Sequence, residues 1–328
     1  MDAFVLAGDR GASHQILGTN KALLKLEGYP LFIHVLKALD EVAEIDRIYI
    51  IGPQKKMMEE IERALPYTLF FKKIEVLEQK NSLIENILAA YSRSLPGYQD
   101  GMDVHRLNHG DPPGLFLPAD IPLITPAEIR EFISKADMEE SDYCLGVTPE
   151  EALTPFYPKA DQPGMKMAYV YTRTQAYRLN NLHLARPLRI GAGRDIQQLY
   201  DHRYQKYLGN RIRIMLEILK RPGWPSVLKS YLLAQAAVSL AQSNRSGLAA
   251  LFRRSLALSK VEREISRFLG TRFKVVETNI GSAALDIDDE ASYRTLSTRF
   301  REWREFFAKF NQGQEGGGAC PFRTEACG

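Results

Sequence analysis

Short apolar runs ending in glycine, proline or aspartate alternate with amphipathic stretches along the first 150 residues, and this alternation constrains the fold most. Ala3–Ala7 (AFVLA) ends at Gly8, Arg47–Ile51 (RIYII) at Gly52, and Gly114–Leu117 (GLFL) at Pro118-Ala119-Asp120. Continuous apolar runs of this length fit strands buried on both faces. Between them, residues 30–42, 57–65 and 82–95 carry apolar groups at helical spacing. Thr125 precedes Pro126, with Glu128 three residues on, which predicts a helix start with a capping box. The pattern predicts a three-layer α/β/α domain built on a mostly parallel sheet. Further strands are expected at 73–77, 165–172, 273–277 and 283–288, and a helix over 290–310.

Charge is distributed unevenly. Residues 203–272 hold fourteen Lys/Arg against three Glu, a local charge of +11, so the rest of the chain sums to −8 against a total of +3. This stretch reads as helices only, and it is expected to be a basic helical insertion at about 203–270 within a domain spanning 1–310. Residues 311–328 have the composition of a flexible tail. A solvated basic face is the plainest reading of the insertion. Contact with an anionic membrane surface is the sharper one, because Leu residues, Trp224 and Tyr231 accompany the charge. Aromatic interleaving is too thin for single-strand nucleic acid binding, so no nucleic acid partner is expected. The opening residues lack a signal-peptide pattern, and three cysteines make no disulfide framework, so a cytoplasmic protein is expected.

Three segments carry residues suited to phosphate chemistry. In the first, Leu6-Ala7-Gly8-Asp9-Arg10-Gly11 follows a strand, and Lys21 lies beyond it. Backbone N–H groups of such a turn can close on phosphate oxygens, and a lysine adds positive charge. LAG alone reads as an ordinary strand-to-helix turn. In the second, Asp120 stands just past a buried strand, where open α/β sheets bind ligands and where a carboxylate can hold Mg²⁺. A turn or N-cap aspartate is an equal reading. In the third, Asp286 and Asp288 are two apart on a predicted strand, so both point to one face, and a cation would relieve their repulsion. An acidic turn capping the following helix is the alternative, and Asp289 suits that job.

Taken together, LAGDRG…KALLKLEGYPL, LPADIPLI and LDIDDEASY, in this order and separation, resemble the MobA-like nucleotidyltransferases. That family includes molybdenum-cofactor cytidylyl- and guanylyltransferases and relatives acting on sugar, inositol or lactate phosphates. The likeness covers about residues 1–200 and 272–293. It implies a GT-A-type fold and a Mg²⁺-dependent transfer of a nucleotide from an NTP to a phosphorylated small-molecule acceptor, with pyrophosphate released. On this resemblance Leu6, Ala7, Gly8, Arg10 and Gly11 would bind base and phosphates, with Lys21 on the triphosphate. Asp120 would be the first metal ligand and Asp286 the second, with Asp288 as its substitute. Ser82 would lie near the nucleobase and Asn181 would face the acceptor. Two positions depart from the family pattern: GDRGASH replaces GGxGxR, and an asparagine precedes Asn181 in place of glycine. A GT-A glycosyltransferase and a catalytically silent nucleotide-binding scaffold are the competing expectations.

Overall fold

A computed structural model describes residues 1–9, 15–104, 110–173, 175–191 and 257–312. The expected helices at 212–220 and 226–242, most of the basic insertion, and the tail beyond residue 312 lie outside the described residues.

The chain begins with β1 (Asp2–Leu6), followed by two small hairpins, β2 (Gln15–Ile16) with β3 (Thr19–Asn20) and β4 (Lys25–Leu26) with β5 (Tyr29–Pro30). Next come α1 (Leu31–Asp40), β6 (Arg47–Gly52), α2 (Gln54–Ala64), β7 (Lys73–Glu78) and α3 (Leu83–Ser94). Then follow β8 (Gly114–Pro118), α4 (Pro126–Lys135), β9 (Tyr143–Pro149), α5 (Glu150–Leu153), β10 (Val170–Tyr171) and β11 (Ala176–Ala185). After the undescribed stretch come α6 (Leu258–Leu269), β12 (Phe273–Glu277) and α7 (Glu290–Gln312).

The main sheet is eight-stranded, in the order β12-β9-β11-β8-β1-β6-β7, with β10 beside β11. Pairing is parallel except around β11, which runs antiparallel to both β8 and β9. Sheet alternation sorts the apolar runs into two cores. Ala3, Val5, Ile48, Ile50, Leu115 and Leu117 face α1, α2 and α4, whereas Phe4, Tyr49, Ile51 and Phe116 face α3. Both faces are therefore covered, as the continuous apolar runs required. The long helix α7 lays Leu296, Phe300, Trp303 and Phe307 against Leu31, Leu123, Phe156 and Leu285, closing a third cluster beside the ends of the strands.

The three-layer, mostly parallel architecture is as expected, and seven helices accompany the sheet among the described residues. Three local expectations need correction. Residues 165–172 contribute only Val170–Tyr171 as strand. Residues 283–288 are not a strand: Ser282–Ala284 form a 3₁₀ turn, and 285–288 continue as loop. The capping box at α4 is half-built, since Thr125 Oγ1 accepts from the Glu128 N–H at 3.2 Å but the Thr125 N–H goes to Ser282 Oγ at 3.1 Å. The Glu128 carboxylate accepts from Ser282 Oγ at 2.6 Å, so the Ser282 hydroxyl stands between it and the Thr125 N–H. β11, a strand of mixed polar sequence (AYRLNNLHLA), was not anticipated.

Candidate active site

The carboxyl ends of β1, β6, β7, β8, β9 and β12 lie along one edge of the sheet, and the candidate residues gather there. At the end of β1 the backbone is stitched to both neighbours. The Ala7 N–H donates to Ile51 O at 2.8 Å, and the Ala119 N–H donates to Leu6 O at 3.0 Å. Gly8 passes so close to the β7–α3 connection that an added Cβ would stand 3.1 Å from Gln79 Oε1. Buried Gln79 forms a reciprocal pair with the turn: the Asp9 N–H donates to Gln79 Oε1 at 2.8 Å, and Gln79 Nε2 donates to Asp9 Oδ1 at 2.6 Å. Arg10 and Gly11 lie outside the described residues.

Asn20 fixes the position of Lys21. Its Nδ2 donates to Ala7 O at 2.9 Å, and its Oδ1 accepts from the Ala22 N–H at 2.9 Å, which caps the 3₁₀ turn Lys21–Leu23. The Lys21 side chain runs through the core and emerges between two carboxylates. Its Nζ is 3.5 Å from Asp120 Oδ2 and 3.5 Å from Asp288 Oδ1. Asp120 is 16 % exposed and Asp288 50 %, so the cluster opens to solvent on the Asp288 side.

Asp120 ends the β8 turn, and the 285–288 loop docks directly against it. The Ile287 N–H donates to the Asp120 carbonyl at 3.0 Å, with Leu285 and Ile287 buried on either side of Asp286. Because this segment is loop, the one-face argument for Asp286 and Asp288 fails, and the two carboxylates meet different cations. Asp286 Oδ1 accepts from Arg178 Nη2 at 2.6 Å, while Arg178 Nε donates to Ala284 O at 2.8 Å. Burial, then the charge of Asp288, pushes the Asp286 carboxyl above the usual carboxylate range, and Arg178 opposes that rise. Asp288 instead joins Asp120 across Lys21. Asp289 caps α7 as expected, its Oδ1 accepting from the Ser292 N–H at 2.8 Å.

Ser82 is the N-cap of α3, its Oγ accepting from the Glu85 N–H at 3.2 Å. Asn181 sits in a β-bulge of β11 with φ +65°, a left-handed conformation that asparagine tolerates. Its Nδ2 donates to Ala283 O at 3.1 Å, so it braces the loop that carries Asp286 and Asp288. Asn180 is wholly buried and donates to Thr278 Oγ1 at 2.7 Å. Its side chain occupies the space where a Cβ on Gly146 would be, 2.0 Å from Asn180 Oδ1. His183 bonds through Nδ1 to the Tyr143 hydroxyl at 2.8 Å, a structural role, and Cys144 belongs to the core.

The structure thus brings together Gly8, Lys21, Asp120 and Asp288 and assigns Asp286 to Arg178. Gln79, Arg178 and Asn20 were missed from the sequence. Gln79 had a signal, since it stands just past a strand end on the ligand-binding edge. Arg178 had none, because its strand was unrecognised.

The profile of the MobA-like NTP transferase domain matches residues 3–258, and the chain belongs to that family of nucleotidyltransferases. Among solved structures, a hypothetical transferase from Thermus thermophilus is similar at 21 % identity and a TM-score of 0.53, over 89 % of this chain and 98 % of that one. CMP:2-keto-3-deoxy-manno-octonic acid synthetase complexed with CTP is a more distant likeness, at 13 % identity and TM-score 0.44, over 92 % and 99 % of the two chains. A 4-diphosphocytidyl-2C-methyl-D-erythritol synthase from Anaerococcus prevotii follows at 9 % identity and TM-score 0.42, over 92 % and 95 %. No curated protein sequence matches the chain.

Proposed function

We propose that the protein moves an NMP from an NTP onto a phosphorylated small-molecule acceptor, releasing pyrophosphate, with Mg²⁺ held by Asp120 and Asp288. The observation that carries this reading is the Lys21 ammonium placed 3.5 Å from both carboxylates beside the Gly8 turn. Two carboxylates that converge on one cation position offer hard oxygen donors at a partly open site, which fits Mg²⁺. Among the described residues no group of three or more His, Cys, Asp or Glu forms a metal-type cluster. Two carboxylates would suffice for Mg²⁺, an ion commonly held through one or two carboxylates together with substrate phosphates and water. Asp288 is proposed over Asp286 as the second ligand, because it is half-exposed and shares Lys21 with Asp120, whereas Asp286 is buried against Arg178.

In the proposed reaction an acceptor phosphate oxygen forms a bond to the α-phosphorus while the bond from that phosphorus to the bridging oxygen breaks. Pyrophosphate leaves with the electron pair. The acceptor oxygen is already anionic, so no proton must be removed. The metal supplies charge neutralisation on the phosphates. Lys21 adds a fixed positive charge beside the two carboxylates, and the Gly8 turn, with Arg10 and Gly11 beyond it, positions the nucleotide. Gln79 borders the Gly8 turn, and Ser82, the N-cap of α3, is proposed near the base. Asn181 is proposed on the acceptor side, acting in part by bracing the 283–288 loop.

A screen of four NTPs against phosphorylated acceptors, read by pyrophosphate release, tests this reading. Free nucleoside diphosphate from a nucleotide-sugar would indicate a GT-A glycosyltransferase instead. Nucleotide binding without turnover would favour the silent scaffold. No helix among the described residues is long and apolar enough to cross a membrane. The peripheral membrane contact proposed for the basic insertion rests on its charge, and co-sedimentation with anionic vesicles at low salt tests it.

A further inference from the structure

We propose that Glu128 is a positioning residue, whose buried carboxylate ties the Asp120 loop to the loop bearing Asp286 and Asp288 and so sets the spacing of the metal-binding carboxylates. The inference rests on the function proposed above.

Glu128 is wholly buried in the first turn of α4, eight positions after Asp120, with the short Ile121–Thr125 segment between them. Its carboxylate accepts three hydrogen bonds, all from the segment leading to Asp286. Thr278 Oγ1 donates to Oε1 at 2.7 Å, Ser282 Oγ donates to Oε2 at 2.6 Å, and the Ala283 N–H donates to Oε2 at 2.9 Å. Ser282 Oγ also accepts from the Thr125 N–H, which ties the same segment to the helix cap. Thr278 Oγ1 in turn accepts from Asn180 Nδ2, so β11 joins the network.

Beyond Ala283, the remaining links lead to the carboxylates. Asn181 holds Ala283 O, Arg178 holds Ala284 O and Asp286, and the Ile287 N–H closes on Asp120 O. The Asp120 loop and the 278–288 loop are thus joined at both ends, by Glu128 at one and Ile287 at the other. Burial pushes the Glu128 carboxyl above the usual range, while the donors from Ser282, Thr278 and Ala283 favour the ionised form. Apolar residues would fill such a space at less desolvation cost. What three directed donors add is one fixed arrangement of two otherwise irregular loops, a high-stakes network when fully satisfied. Partners of this kind around metal ligands typically change metal affinity about 10–100-fold when removed.

The test is Mn²⁺ binding to the full chain, followed by electron paramagnetic resonance, with far-UV circular dichroism confirming the fold. Wild type should bind Mn²⁺ in a manner abolished by Asp120→Asn. Glu128→Gln is isosteric but presents an NH₂ group to donors, and it should weaken Mn²⁺ binding about 10-fold or more. Ser282→Ala, which deletes the links to Glu128 and to the Thr125 N–H but leaves the buried carboxylate two donors, should weaken it less while keeping the fold. Hydrogen exchange at residues 282–288 should rise in both variants. Unchanged Mn²⁺ affinity in folded Glu128→Gln and Ser282→Ala proteins, even with lowered thermal stability, would overturn the positioning role alone. Absence of Asp120-dependent Mn²⁺ binding in the wild type would overturn the functional reading and this inference with it.

Discussion

The backbone N–H of Ile287 donates a 3.0 Å hydrogen bond to the carbonyl oxygen of Asp120, joining two loops 167 positions apart at the candidate active site. The carboxylates flanking Ile287 diverge to different partners, Asp286 to Arg178 and Asp288 to Lys21.

Asp120→Asn is expected to abolish Mg²⁺-dependent pyrophosphate release in a protein that still folds. Asp288→Asn should raise the Mg²⁺ concentration needed for half-maximal turnover about 10-fold or more. Asp286→Asn should have the smaller effect on that Mg²⁺ requirement. A larger dependence on Asp286 than on Asp288, in pyrophosphate assays across a Mg²⁺ series, would reverse the ligand assignment.

Lys21→Met removes the cation between Asp120 and Asp288 and keeps most of the apolar stem. Removing one preorganised donor aimed at developing charge costs about 10²–10³-fold in kcat, and a loss of that order is expected here. Steady-state kinetics should show that loss in kcat, because Lys21 is proposed to act on charge developing in the transition state.

Gly146→Ala should destabilise the fold by about 1–3 kcal/mol, since the new methyl meets Asn180 with no flexible chain end to give way. Asn180→Gly alone removes a buried hydrogen-bonding group. Combined with Gly146→Ala it should relieve the collision, so the double-variant loss should fall below the sum of the two singles. Chemical denaturation of the four proteins measures this coupling.

Acidification should weaken the fold through His34. Burial lowers its pKa from 6.5 to about 4, and its Nε2 lies 3.0 Å from Leu26 O, so the neutral ring donates there. Above pH 6.5 the ring is neutral both folded and unfolded, and the stability it favours is fully present. Between 6.5 and about 4 the unfolded chain takes a proton that the folded chain refuses, so stability falls with pH. The full gap corresponds to about 3 kcal/mol. His34→Gln can keep the hydrogen bond and should show a shallower loss of denaturation midpoint from pH 7 to 4.

Reading the sequence located the strands of the parallel half closely, because strands buried on both faces must be apolar throughout and must end where the chain turns. Ala3–Ala7, Arg47–Ile51 and Gly114–Leu117 each met that condition. The antiparallel β11 escaped notice because its inward residues include Asn180, satisfied by threonine hydroxyls from two other elements. The capping box at Thr125 was half-right for a similar reason: local spacing identified Glu128, but distant donors claimed its carboxylate.

The sequence by itself determined the layer architecture, the strand ends that form the ligand edge, and the residue types gathered there: Gly8, Lys21, Asp120 and the acidic run from Asp286. These follow from periodicity and backbone sterics, which act over a few residues. Only the tertiary structure decided which acidic side chain faces Asp120. Lys21, Arg178 and Glu128 come from separate elements, and the direction of each carboxylate depends on which distant donor the fold places beside it.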